Sequence, residues 1–298
     1  MPEETPLLTV VIPAYNEAKT IEQVLEDILP VAEQHRWEVV VVDDGSTDDT
    51  PKIVAARASQ LSLGSVRLHV IHHTRNRGYG AALKSGIRRA KAARVASMDA
   101  DGQHHAAQLL DLLTQCGEND MVVGQRTKIL HSPLWRIPGK MVLGAMATFL
   151  LRRRIPDLNS GLRVFRTDVI RRYLHLCPEG FSFSTTSTLV LLDRGYDVRF
   201  VPIEIAARVG KSAVSVATGF GAVLLIIRLA MLLAPLRLFL PIGIVSAVLG
   251  IAWAVPYLIA GRGLTTTALL LILNGFLIVL FGLLADQIAQ MRKERLEE

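Results

Sequence analysis

Three short stretches gather the residues that could do chemistry. They are Pro13-Ala14-Tyr15-Asn16-Glu17, Asp43-Asp44-Gly45-Ser46-Thr47-Asp48-Asp49 and Asp99-Ala100-Asp101-Gly102-Gln103-His104. Asn16 and Asp48 have an ordinary reading as helix N-caps, and Gly45 and Gly102 as turn residues. Caps do not require Asp43 beside Asp44, or Asp99 two positions before Asp101. Two carboxylates one residue apart suit a hard cation that also holds a diphosphate. Mg²⁺ takes one or two protein carboxylates and completes its shell with phosphate oxygens and water. Gln103 adds a neutral oxygen to that set.

The elements around these stretches say where they lie. Short apolar, β-branched runs alternate with helical patterns from residue 7 to residue 123. Strands are expected at Leu7–Ile12, Trp37–Val42, Val66–His72, Arg94–Met98 and Asp120–Val123. Helices are expected at Glu17–His35, Asp48–Gln60, Gly80–Ala92 and Ala106–Cys116. This order predicts an α/β domain with a parallel sheet covered on both faces. Such sheets bind ligands at the carboxyl ends of their strands. Each acidic stretch follows a strand directly, so all three meet on one edge. The Gly-rich stretch Gly78–Gly86 opens the third helix but is neither GxGxxG nor a P-loop.

Composition excludes several classes. The chain has 298 residues, 50% hydrophobic and 20% charged, with a net charge of +6. Its mean hydropathy is +0.35. The apolar content excludes disorder, and two cysteines, Cys116 and Cys177, exclude a disulfide scaffold. No nucleic-acid motif accompanies the basic residues. The apolar residues are concentrated late in the chain. No charged residue lies between Arg237 and Arg262, or between Arg262 and Asp286. Each run exceeds the roughly 20 residues a spanning helix needs, so residues 237–286 are expected to form a transmembrane hairpin. Arg228 and Arg237 precede it, and Arg292, Lys293 and Arg295 follow it. That distribution places both termini in the cytoplasm, with 287–298 a cytosolic tail. The N-terminus lacks the basic and apolar regions of a signal peptide, so residues 1–212 are expected to be a cytosolic catalytic domain. Segments at about 133–151 and 213–236 are apolar between basic residues and are expected to lie along the membrane surface; the alternative for 214–234 is a third span, which would throw the basic C-terminal tail outside.

The motifs together resemble a family. VVIPAYNE (Val10–Glu17), VVDDGSTDDT (Val41–Thr50) and SMDADGQH (Ser97–His104) look like the signature turns of family 2 glycosyltransferases. DLNSGLRVFR (Asp157–Arg166), FSFSTTSTL (Phe181–Leu189) and GYDVRFVPIEIAARVGKS (Gly195–Ser212) are similar to the branch that glycosylates polyprenyl phosphates, which includes dolichyl-phosphate mannose synthase and undecaprenyl-phosphate glycosyltransferases. The resemblance covers about residues 7–212. It implies a nucleotide-diphospho-sugar transferase (GT-A-like) fold and a nucleotide-sugar donor, GDP- or UDP-linked. Pro13, Tyr15, Glu17 and Asp44 would bind the nucleotide, with Asp99 beside its diphosphate. Asp99, Asp101 and Gln103 would hold Mg²⁺ or Mn²⁺. Arg208 and Lys211 would belong to a loop that closes over the diphosphate, and Arg126 would reach the phosphates or the acceptor. Family members often associate through their membrane segments, so a homo-oligomer is among the expected partners.

A phosphate acceptor fits the physics of the reaction. A phosphate monoester is largely a dianion at neutral pH and needs positioning more than deprotonation. Arginines bind it bidentately; Arg126, Arg136, Lys140 and Arg163 are the candidates. Asp157 is a base if the acceptor is a hydroxyl, and an orienting residue for Arg163 or the sugar if it is a phosphate. In-line attack on the anomeric carbon inverts it. Three other readings exist. One is a different lipid acceptor, such as diacylglycerol. Another is a haloacid-dehalogenase-type phosphatase, in which the DxDG turn would follow the first strand rather than the fourth. The third is an inactive scaffold on a membrane hairpin, which would lack the metal carboxylates.

Overall fold

The computed structural model describes residues 5–61, 67–127, 148, 155–204, 227, 231 and 234–294, with side chains to residue 291. The chain divides into two compact units. One carries a seven-stranded sheet and the other the C-terminal helices.

The sheet is built from β1 (Thr9–Ala14), β2 (Glu38–Asp43), β3 (Arg67–His72), β4 (Arg94–Ser97), β5 (Met121–Arg126), β6 (Arg163–Arg166) and β7 (Val198–Ile203). Its order is β3-β2-β1-β4-β6-β5-β7. Strands β1 and β2 are buried at every position, as fully covered strands with continuous Val and Ile must be. Helices α1 (Ile21–Gln34), α2 (Thr50–Leu61), α3 (Tyr79–Arg89) and α4 (Ala106–Thr114) connect the first strands. Helices α5 (Thr167–Tyr173) and α6 (Phe183–Asp193) precede β7. Ile21, Val24, Leu25 and Ile28 of α1 pack with Leu109 and Leu112 of α4 in the core beneath β1 and β2.

The sheet has two strands beyond the five expected, β6 and β7, and one of them changes its character. β6 runs antiparallel to both β4 and β5, so the sheet is mixed. The β1–β2, β2–β3 and β1–β4 pairs are parallel. Their carboxyl ends, and therefore the three acidic turns, share one edge. The β6 register pairs Ser97 with Arg163, which carries the Asp157–Leu162 segment to the end of β4.

The second unit is a hairpin of α7 (Pro235–Ile259) and α8 (Thr266–Glu294). Both helices are long and apolar enough to cross a membrane. Their seam is made of small residues. A Cβ on Gly275 would lie 2.6 Å from the Gly243 carbonyl oxygen, and one on Gly250 would lie 3.0 Å from that of Ala268. Ser246 Oγ donates to the Leu271 carbonyl at 2.9 Å. Close backbone approach through small residues is how helices pack when both sides are apolar. The surface-helix segments expected at 133–151 and 213–236 lie almost wholly outside the described residues.

Candidate active site

The first two turns hold each other. Asn16 has φ 56°, and its Oδ1 accepts from Thr47 N at 2.8 Å. Ser46 Oγ accepts from Asn16 N at 3.0 Å, and Asp48 Oδ2 from Ala18 N at 3.1 Å. Asn16 is therefore a latch between turns rather than the cap of α1, which starts at Ile21. Asp48 does work at its helix start, accepting from Thr50 N and from Thr50 Oγ1. Its pKa is lowered: burial raises it, and the bonds from Thr50 and Ala18 outweigh that. Pro13 is buried within β1, Tyr15 is exposed and Glu17 is half-buried at the edge. Glu17 N donates to Thr50 Oγ1.

Asp43 and Asp44 are almost fully buried, because a histidine at the end of β3 meets each of them. His72 Nδ1 lies 3.1 Å from Asp43 Oδ2, and His73 Nδ1 lies 2.6 Å from Asp44 Oδ1. Asp44 also accepts from Arg77 N at 3.0 Å and Gly78 N at 2.7 Å. Its carboxylate thus organises the turn before α3. These partners of Asp44 leave no trace in the sequence, where the resemblance sets Asp44 against the nucleotide.

The third turn carries the acidic pair. Tyr79, the first residue of α3, donates its hydroxyl to Asp99 Oδ1 at 2.8 Å. Burial pushes the Tyr79 phenol well above its ordinary pKa, and the Asp99 charge adds to this, so it remains a neutral donor. Gly161 lies against the other side of the carboxylate: a Cβ there would overlap the Asp99 oxygens. Ser97 Oγ fixes Gly161 by donating to its carbonyl at 2.8 Å. Asp101 is 7% exposed, and its Oδ1 accepts from Gln103 N at 3.2 Å. His104 is buried, and its Nδ1 has no hydrogen-bond partner. Burial lowers its pKa against the pull of Asp99 and Asp101. Among the described residues no three His, Cys, Asp or Glu side chains converge as a metal cage. Two carboxylates with an orphaned nitrogen nearby fit a Mg²⁺ or Mn²⁺ ion that draws its remaining ligands from a diphosphate and water.

Arg126, the last residue of β5, joins this edge. Its Nε and Nη2 donate to Asp157 Oδ2 and Oδ1 at 2.8 and 2.9 Å. Asp157 also accepts from Arg126 N at 3.2 Å and Asn159 N at 3.0 Å. Burial raises the Asp157 pKa, but the Arg126 bonds and charge outweigh it and the net shift is downward. Burial opposes the Arg126 charge in turn, yet Asp157, Asp99 and Asp101 raise its pKa overall. The protein partner of Asp157 is therefore Arg126 rather than the Arg163 expected from the sequence.

Arg163 does something else. It is 1% exposed. It donates to the carbonyls of Ser160, Ser184 and Leu158 at 2.7, 2.7 and 2.8 Å, and to Thr188 Oγ1 at 2.5 Å. Burial lowers its pKa to about 10, with Tyr79, Asp157 and Asp99 opposing the fall. In place of the acceptor-phosphate contact expected of it, Arg163 ties the Leu158–Ser160 turn to α6, because its donors already have protein partners. Arg136, Lys140, Arg208 and Lys211 lie outside the described residues. His72 and His73 carry no signal in the sequence, whereas Tyr79 lies inside the Gly78–Gly86 stretch and His104 closes the DGQH turn.

A carboxylate-bearing strand edge on a mixed α/β sheet fits a GT-A-like domain. The family model for Glycosyl transferase family 2 matches residues 9–174, and one for the GtrB C-terminal hairpin matches residues 234–291. The chain belongs to Glycosyl transferase family 2, and α7 with α8 is its membrane hairpin. Relatives include the undecaprenyl-phosphate 4-deoxy-4-formamido-L-arabinose transferase of Photorhabdus laumondii, 28% identical over 97% of this chain and 90% of that protein. The polyprenol monophosphomannose synthase of Mycolicibacterium smegmatis is 31% identical over 67% of this chain and 77% of its own length. Among solved structures, glucosyl-3-phosphoglycerate synthase from Mycobacterium tuberculosis, in complex with Mn²⁺, UDP and glucosyl-3-phosphoglycerate, superposes with a TM-score of 0.58. It is 20% identical and covers 76% of this chain and 79% of that one.

Proposed function

We propose that this protein transfers a sugar from a nucleotide-diphosphate sugar to a membrane polyprenyl phosphate, with inversion, giving a polyprenyl monophosphosugar. The observation that carries this reading is the Arg126–Asp157 pair beside Asp99 and Asp101. Four donors surround the Asp157 carboxylate, so it is a poor proton acceptor. A hydroxyl acceptor such as diacylglycerol would need such a base. A phosphate acceptor brings its own charged oxygen, and a charged, oriented guanidinium suits it. The relatives' names and the membrane hairpin support the same acceptor.

Asp99, Asp101 and Gln103 would hold a Mg²⁺ or Mn²⁺ ion, as the Mn²⁺ complex of the Mycobacterium tuberculosis neighbour encourages. When bound, the ion neutralises charge on the departing diphosphate. Tyr79 and Gly161 keep the Asp99 carboxylate in place for it. Arg208 and Lys211 would add charge over the diphosphate as the bond breaks. Pro13, Tyr15 and Glu17 would meet the GDP or UDP moiety on the edge beside Asp44, which acts through the turn it organises. Arg126 would face the acceptor phosphate, with Arg136 and Lys140 toward the headgroup layer. Residues 1–212 form the catalytic domain in this reading. In this reading the domain and both termini are cytoplasmic, which the basic residues flanking the hairpin, Arg228, Arg237, Arg292, Lys293 and Arg295, support.

The test is a transfer assay in vesicles with radiolabelled GDP- and UDP-sugars. Undecaprenyl phosphate should be labelled when Mg²⁺ or Mn²⁺ is present, and diacylglycerol should not. Labelling of diacylglycerol alone overturns the acceptor assignment. Transfer that survives in EDTA, or in Asp101→Ala, overturns the metal assignment.

A further inference from the structure

Phe181 stands apart in the α/β domain. Among the described residues of that domain, Leu7, Tyr15 and Phe181 are the exposed large apolar side chains, and Phe181 is the most open at 66%. Its place is well defined. The Phe181 ring stacks on Tyr79, with centroids 5.7 Å apart and planes 16° apart. The Tyr79 hydroxyl is the one bound to Asp99. An exposed aromatic face is therefore one stacked ring away from the acidic pair.

The Gly-rich start of α3 builds this arrangement. A Cβ on Gly78 would lie 2.5 Å from the Glu179 carbonyl oxygen, and one on Gly80 would overlap the Pro178 carbonyl. Ala81 N donates to the Glu179 carbonyl at 2.9 Å. The glycines thus let the Pro178–Gly180 backbone lie directly on the helix start, where side chains would hold it off. Gly78, at φ 105°, also donates its N–H to Asp44. One short stretch anchors the second acidic turn, orients the Asp99 carboxylate through Tyr79 and grips the turn that ends at Phe181. Ordinary helix packing explains the small residues. It does not explain a phenylalanine held open to solvent at their end.

We propose that Phe181 is a specificity residue whose open face stacks on the C–H face of the transferred sugar. This rests on the transfer reading above. The diphosphate belongs at Asp99 and Asp101, and the group joined to its distal phosphate is the sugar, so the sugar is what an aromatic beside those carboxylates meets. The negative face of an aromatic ring attracts the weakly positive C–H groups of a pyranose, as it does ring edges. The stack contributes to binding of the sugar and nothing to binding of the nucleoside diphosphate alone.

Titration calorimetry on the full-length protein with Mn²⁺ tests this, using UDP, GDP, UDP-glucose, UDP-galactose and GDP-mannose. Phe181→Ala should weaken the best-bound nucleotide sugar roughly tenfold and leave its nucleoside diphosphate unchanged. Phe181→Tyr and Phe181→Trp should bind as the wild type does, and Phe181→Leu as the alanine variant does. Equal unfolding temperatures without ligand show that the exposed site is not needed for folding. Unchanged sugar affinity in Phe181→Ala overturns the proposal, as does equal loss of UDP or GDP and its sugar. A change confined to the KM for undecaprenyl phosphate also overturns it and assigns the ring to the prenyl chain. A wild-type protein that binds the nucleotide sugars but labels no polyprenyl phosphate overturns the acceptor reading and leaves the stack standing.

Discussion

Asp157→Asn separates the two roles open to this carboxylate. The substitution keeps the size of the side chain and turns one acceptor oxygen into a donor. That amide must then face Arg126 Nε or Nη2, or one of the backbone N–H groups that Asp157 now accepts from. Hydrogen bonds to a charged group contribute about 1.5–3 kcal/mol each. Arg126 is 31% exposed at its side chain, so solvent screens part of the pair, and about 2 kcal/mol is a fair value for its ordering. That corresponds to roughly a 30-fold fall in kcat/KM for transfer to polyprenyl phosphate. A lost general base costs about 10²–10⁴-fold, so the single variant does not decide alone. The deciding measurement is a double-mutant cycle with Arg126→Met. If Asp157 acts through Arg126, Asp157→Asn costs little more once Arg126 is gone. A further loss of about 100-fold in the Arg126→Met background would refute the orienting role. The pH profile gives a second check. The Asp157 pKa is lowered in the folded protein, so its contribution is present above the unfolded value of about 3.9 and is lost only as pH falls through the lower folded value. The profile of kcat/KM between about pH 5 and 8 should keep its shape in Asp157→Asn, and loss of an acid-side limb there counts against the pair.

Three other expectations follow from packing. Gly161→Ala places a Cβ in the Asp99 carboxylate, so Mn²⁺ binding followed by electron paramagnetic resonance should weaken at least tenfold, and unchanged binding would detach Asp99 from the metal. Arg163→Met leaves the Leu158, Ser160 and Ser184 carbonyls without their donor, which should cost about 3 kcal/mol in urea unfolding; a neutral result would show that water replaces the guanidinium. Gly275→Leu forces a side chain onto the Gly243 carbonyl and should lower the thermal stability of the hairpin in detergent, whereas the exposed Leu273→Ala should not.

The acidic turns were legible because each follows a short β-branched strand, and parallel strands bring their carboxyl ends to one edge. The hairpin was legible because an apolar run of that length has few other uses. The reversed β6 was not, since Arg163–Arg166 has four residues, a charge at each end and no periodicity. The Gly-rich stretch at Gly78–Gly86 matches neither phosphate-loop pattern, and the turn it packs on, Pro178–Gly180, lies a hundred residues further on.

Residue types and spacing by themselves determined the α/β class, the single strand edge that carries Asp99 and Asp101, and the apolar hairpin. Those are local properties, set by strand and helix periods and by runs of apolar residues. Only the tertiary structure decided which charges meet. Arg126 and Arg163 are both arginines on strands next to each other in the sheet. Arg126 ends its strand at the ligand edge and finds a carboxylate from a turn 31 residues away. Arg163 enters the interior and finds carbonyls. Burial and partner geometry set what a guanidinium does, and neither is written in its immediate neighbours.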